Sequence, residues 1–98
     1  DKAKAVYIIT DKEQEQPVAE EISKQLGRGV TVIPAQGFYS QADKSILLCI
    51  INRFEVTTIK RIVALKDSSA FVTISDVSET LGGKEIKFST TTMEKIKQ

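Results

Sequence analysis

Residues 45–51 read Ser45-Ile46-Leu47-Leu48-Cys49-Ile50-Ile51, and the rest of the chain arranges itself around them. Ile46 to Ile51 is an unbroken run of six apolar residues. It falls far short of the roughly 20 residues a transmembrane helix needs. Its β-branched content and its length describe a strand covered on both faces, in the middle of a sheet. Alternation puts Ile46, Leu48 and Ile50 on one face and Leu47, Cys49 and Ile51 on the other.

Working outward, Ala3 to Thr10 reads as a first strand, with Val6 and Ile8 alternating against Tyr7 and Ile9. Asp11 is placed to start a turn or cap the next element, because its carboxylate can accept orphan backbone N–H groups. Pro17 suits the first turn of a helix. Val18, Ile22 and Leu26 then recur every four residues, which predicts an amphipathic helix ending at Gly27. A second strand region spans residues 29–39. Pro34 lies inside it and cannot donate to a ladder, so this strand belongs at a sheet edge or carries a bulge. Residues 36–44 form a polar loop with Phe38 and Tyr39 interleaved. Beyond the central strand, residues 54–66 carry Val56, Ile59, Ile62 and Val63 at helical spacing, with Leu65 near the end. Lys60, Arg61 and Lys66 fall on the other side of that helix. Residues 70–77 form a fourth strand after an Asp67-Ser68-Ser69 turn, and residues 84–88 suggest a short fifth.

The order strand, helix, strand, strand, helix, strand is the split β-α-β pattern of a ferredoxin-like α+β fold. It predicts one antiparallel four-stranded sheet with two helices on one face. The first and third strands are central in that fold, and here they are the two most apolar. We place the domain at residues 1–88, followed by a polar tail at 89–98.

The totals narrow the function. Ninety-eight residues make one domain, 41% hydrophobic and 28% charged. Fourteen Lys and Arg against 13 Asp and Glu leave a net charge of +1, which gives no electrostatic reason to expect nucleic acid. The chain has no histidine, so His-based triads, most zinc sites and the usual proton shuttle are excluded. Its one cysteine excludes an internal disulfide and fits a reducing compartment. No signal-peptide pattern opens the sequence. We therefore expect a soluble, non-catalytic domain without cofactor or metal.

Two helices on one face leave the opposite face of the sheet open, and such a face is normally polar. Here Ile46, Leu48 and Ile50, or the alternate set, would stand in water beside Ala5, Tyr7 and Ile9. Monomers avoid apolar patches of that kind. Covering a few hundred Å² at ~25 cal/mol per Å² contributes several kcal/mol. We expect a homo-oligomer, dimer or trimer, formed through the open face, with fold-back of the C-terminal segment as the competing arrangement.

Candidate sites are few. Cys49 sits mid-strand with no histidine to activate it, and apolar burial makes a thiol inert. Gly27-Arg28-Gly29 follows a helix rather than preceding one, so it describes a tight turn with Arg28 exposed and not a phosphate loop. Arg53 and Glu55 flank Phe54 where the second helix starts, and Glu55 suits the helix dipole with Arg53 beside it. Asp76 and Glu79 lack the dense oxygen spacing of a calcium loop. The loop with Gly37, Phe38, Tyr39, Ser40, Asp43 and Lys44 has two aromatics and several hydrogen-bonding groups. That set suits a small-ligand site or, equally, a hairpin connection whose aromatics pack on the sheet.

Several segments in sequence carry a family resemblance: Ala5 to Lys12, Gly27 to Thr31, Gly37-Phe38-Tyr39-Ser40, Leu47-Leu48-Cys49, Glu55, Asp67 to Val72, Asp76 to Glu79 and Leu81-Gly82. Together they resemble the cytosolic C-terminal domain of YitT-type bacterial membrane proteins, a domain of unknown function. The resemblance covers roughly residues 3 to 83. It implies a parent protein with several transmembrane helices and a domain on the cytoplasmic side of the cell membrane. It further implies kinship in shape with PII-like signalling proteins, in which the loop between the second and third strands helps bind a nucleotide at subunit boundaries. By position, that points to Gly37, Tyr39, Ser40 and Lys44 as ligand-binding residues for a small anionic ligand. The resulting expectation is a regulatory or sensory domain, with a pure oligomerisation module as the alternative.

Overall fold

The computed structural model describes residues 3–82. Four strands, β1 (Ala3–Asp11), β2 (Thr31–Gln36), β3 (Asp43–Asn52) and β4 (Phe71–Asp76), form one sheet in the order β2-β3-β1-β4. All neighbours are antiparallel. Two helices, α1 (Glu15–Leu26) and α2 (Val56–Lys66), fill the connections between β1 and β2 and between β3 and β4, each entered through a short 3₁₀ turn. This is the ferredoxin-like α+β fold. The two most apolar strands are central, and Pro34 lies on an edge strand.

Period-two alternation decides which side chains enter the core. Val6 and Ile8 of β1, with Leu47, Cys49 and Ile51 of β3, face the helices and are buried. Val18 and Ile22 of α1 and Ile59, Ile62 and Val63 of α2 close on them. At about 1.5–3 kcal/mol for each fully buried Leu or Ile, this layer is the main source of stability. Leu65, near the end of α2, is 77% exposed and lies outside this layer.

Local chemistry sets the ends of the elements. Gly27 takes a left-handed φ of 63° and donates its N–H to Ser23 O at 2.9 Å, ending α1. Asp11 makes no capping bond, and its carboxylate accepts from Lys44 Nζ at 2.7 Å instead. Asn52 caps the second helical segment: its side chain accepts from Phe54 N–H at 2.9 Å, and the Glu55 carboxylate accepts from Asn52 N–H at 3.0 Å. The second strand is shorter than residues 29–39, because the chain turns at Gly37. The expected fifth strand at residues 84–88, the tail and the boundary between them lie outside the described residues.

Candidate functional site: the hairpin end of the sheet

The expected ligand residues meet at one end of the sheet, where β2 turns into β3. Gly37 donates its N–H to Ala42 O and accepts from Gln41 N–H, both at 2.9 Å. Gln41 adopts a φ of 60°, a left-handed value rare outside glycine, and its side-chain amide donates to Phe38 O at 2.6 Å. Ser40 Oγ accepts from Ala42 N–H at 3.1 Å. A Cβ on Gly37 would stand 2.6 Å from that Oγ, so a side chain there would push the Ser40 hydroxyl off its bond to Ala42 N–H. Gly37 and Ser40 are thus brought together, with their polar groups spent on the turn. Tyr39 and Phe38 project outward, 99% and 94% exposed, and do not pack on the sheet. Lys44 stands at the base of the hairpin against Asp11, whose carboxylate pushes the ammonium pKa up.

Beneath the hairpin lies a polar layer that no sequence pattern predicted. Thr10 Oγ1 donates to Asp67 Oδ2 at 2.5 Å, while Ser69 donates to Asp67 Oδ1 from its N–H at 3.1 Å and its hydroxyl at 2.8 Å. These donors, Thr10 first, hold the Asp67 carboxyl below its usual range. The arrangement ties the α2–β4 turn to the end of β1. Ser45 Oγ donates to Glu15 Oε1 at 2.5 Å, and Lys12 Nζ approaches the same oxygen at 3.1 Å. Both lower the Glu15 pKa. A Ser–carboxylate pair can suggest a nucleophile and its base, but Ser45 is fully buried and no substrate reaches its Oγ. A signal for this layer was present: Thr10 and Ser45 occupy core-facing positions of the central strands, and a polar group there requires a partner.

The remaining candidates resolve as structure. Burial pushes the Cys49 thiol up to about 11, which leaves it unreactive. Arg28 is not simply exposed, because its Nε pairs with Glu55 Oε1 at 3.1 Å, linking the α1–β2 turn to the start of α2. Arg53 lies over the Phe54 ring, 4.9 Å from its centroid. Asp76 pairs with Lys4 across the sheet. Among the described residues, no group of three or more potential metal ligands occurs.

Among the described residues, no helix or strand covers the open face. The register aligns Ile33, Ile46, Ile9 and Phe71 in a row across all four strands, with Leu48 and Tyr7 in the next row. Ile33 and Ile9 are each 37% exposed, Tyr7 42% and Phe71 63%. No helix of the described residues is long and apolar enough to cross a membrane.

Comparison with known proteins places this architecture. The chain is 44% identical over 81 residues to the UPF0750 membrane protein YvjA of Bacillus subtilis, covering 83% of this chain and 28% of that protein. It is 31% identical over 75 residues to the UPF0750 membrane protein YitT of the same organism, covering 76% of this chain and 26% of that one. The chain therefore spans little more than a quarter of the length of these relatives. Among solved structures, Arabidopsis thaliana PII bound to citrate superposes with a TM-score of 0.76 at 19% identity, covering 92% of this chain and 94% of that one. That likeness is one of fold. A family model matches residues 28–82, more than half of the chain, and the protein accordingly belongs to DUF2179, described as an uncharacterized protein conserved in bacteria.

Proposed function

We propose that this chain is a non-catalytic regulatory domain of a bacterial membrane protein, acting on the cytoplasmic side as a homo-oligomer joined through the open sheet face. Gly37, Tyr39, Ser40 and Lys44 form the ligand end. A small anionic ligand such as a nucleotide would bind there between copies and bias the membrane part. The observation that carries this reading is the apolar row Ile33–Ile46–Ile9–Phe71, which spans the sheet and has no cover among the described elements. An isolated monomer gains nothing from such a face. The PII-like fold supports a signalling role by analogy of shape, and the projecting Tyr39 offers a stacking ring on the hairpin whose base carries the Lys44 ammonium.

A second reading is an assembly module without ligand. It is favoured by the hairpin, whose polar groups satisfy one another, and by Lys44, whose charge already meets Asp11. Sedimentation and thermal melts of the 98-residue chain, with and without millimolar mono- and cyclic nucleotides, separate the two. An oligomer that melts higher with nucleotide supports the regulatory reading, since a ligand bound to the folded state stabilises it by mass action. An oligomer indifferent to every nucleotide supports the assembly module. A clean monomer at high concentration ends both.

A further inference from the structure

Two roles compete for the carboxylate of Asp11. Its backbone, at φ −64° and ψ 146°, is that of a helix N-cap, and it directly precedes the 3₁₀ turn Lys12–Gln14 that leads into α1. A carboxylate in that position can accept from the N–H of the second or third residue of the turn, here Glu13 or Gln14. The Asp11 side chain makes no such bond. It reaches across the β1–β3 ladder to its register partner Lys44, with Oδ1 2.7 Å from Nζ.

The backbone around this carboxylate is held while the carboxylate itself is free to turn. Asp11 N–H donates to Asp67 Oδ2 at 3.4 Å, and the buried Thr10 hydroxyl donates to the same oxygen at 2.5 Å. The side chains of Asp11 and Lys44 are both part-exposed. A change of rotamer therefore moves the carboxylate from Lys44 to the turn without moving the strand. The two positions are close in free energy, because a part-exposed ion pair and a single cap each contribute little. Lys44 is also the one cation among Gly37, Tyr39, Ser40 and Lys44, so an anion bound there has to meet a charge that Asp11 already neutralises.

We propose that Asp11 is a two-position gate on the ligand end: it holds Lys44 while the site is empty, and it caps the Lys12–Gln14 turn when a ligand anion takes Lys44. The gate rests on Lys44 being an anion-binding residue. It gives the proposed regulation a physical route, because occupancy at the hairpin changes the capping of the turn that enters α1. The same entry is tied to β3, where Ser45 donates to Glu15.

Two measurements on the 98-residue chain separate the gate from the site. Without any ligand, Lys44→Gln frees the Asp11 carboxylate, and amide exchange at Glu13 or Gln14, read by NMR, should slow about fivefold as the cap forms. Adding Asp11→Ala to Lys44→Gln should restore fast exchange. Unchanged exchange in Lys44→Gln makes the pair an ordinary cross-strand contact and overturns the gate, whatever the site binds. The second measurement titrates millimolar AMP as the probe. Asp11→Asn keeps a capping side chain and removes the competing charge, so it should bind AMP up to about fivefold tighter than wild type. Glu13→Gln removes a nearby charge that does not sit on Lys44, and it should leave the affinity within about twofold. Equal affinity in Asp11→Asn and wild type, or an equal gain in Glu13→Gln, overturns the gate while leaving the ligand reading intact. Absence of AMP binding in both wild type and Asp11→Asn ends the ligand reading, and the gate with it, even where Lys44→Gln slows exchange.

Discussion

The two faces of β3 are built from the same chemistry and meet opposite fates. Leu47, Cys49 and Ile51 lie under two helices and lose almost all contact with water. Ile46, Leu48 and Ile50, equally apolar, stay half-exposed because both connections cross the other face. Hydrophobicity alone therefore cannot say which residues form the core. Connectivity decides, since a helix between two parallel-running strands covers only the side it crosses.

Mutations that separate the faces should differ most. Leu47→Ala should cost about 2–5 kcal/mol of stability in urea denaturation, because it leaves a cavity in a closed layer. Ile46→Ala should cost much less in the monomer, and a matching loss would mean that the open face is covered within one chain. Ile46→Lys should abolish self-association in sedimentation through this face while the circular dichroism spectrum stays native. A folded Ile46→Lys variant that still associates through this face would break the comparison from the other side.

The polar layer sharpens it at the core-facing ends of the strands. Asp67→Ala leaves the Thr10 hydroxyl buried without its acceptor and should cost about 1–3 kcal/mol. The same carboxylate predicts a pH dependence. Its folded pKa is lowered, so the stability it contributes is complete above about pH 4 and is lost as pH falls through the folded value. Wild type should therefore lose more stability than Asp67→Ala on acidification, read by thermal melts from about pH 6 downward. Glu55→Ala, which removes both the cap on Asn52 N–H and the partner of Arg28, should cost about 0.5–2 kcal/mol. Arg28→Ala should cost less, as expected for a partly exposed ion pair. The smallest effect belongs to Phe38→Ser and Tyr39→Ser, which should change stability by no more than about 0.5 kcal/mol because neither ring packs on anything. Any larger loss for Tyr39→Ser would have to come from contact with another molecule.

Most elements were legible because local rules carried them. The four-residue spacing of Val18 and Ile22 marked α1, Gly27 marked its end, and Pro34 marked an edge strand. What escaped was chemistry joining residues far apart in sequence. Thr10 and Asp67, Ser45 and Glu15, and Arg28 and Glu55 meet only after the sheet has brought their elements together, and no local pattern announces such pairs. Asp11 departs from its expected capping role for the same reason, because Lys44 competes for its carboxylate across the β1–β3 ladder. At the candidate site a hairpin connection was legible as one of two readings, but not the full exposure of Tyr39 or the pairing of Lys44 with Asp11.

By itself, the sequence determined that residues 45–51 form a strand at the centre of a ferredoxin-like sheet, since six consecutive apolar residues of that length have few other stable placements. It also determined that each face of that strand would be apolar, because alternation is a property of the backbone. Which face the helices cover, and which backbone groups of the edge strands turn toward their neighbours, only the tertiary structure decided. Those outcomes depend on where connections cross and on which side of a strand each N–H points, and neither is carried by residue type.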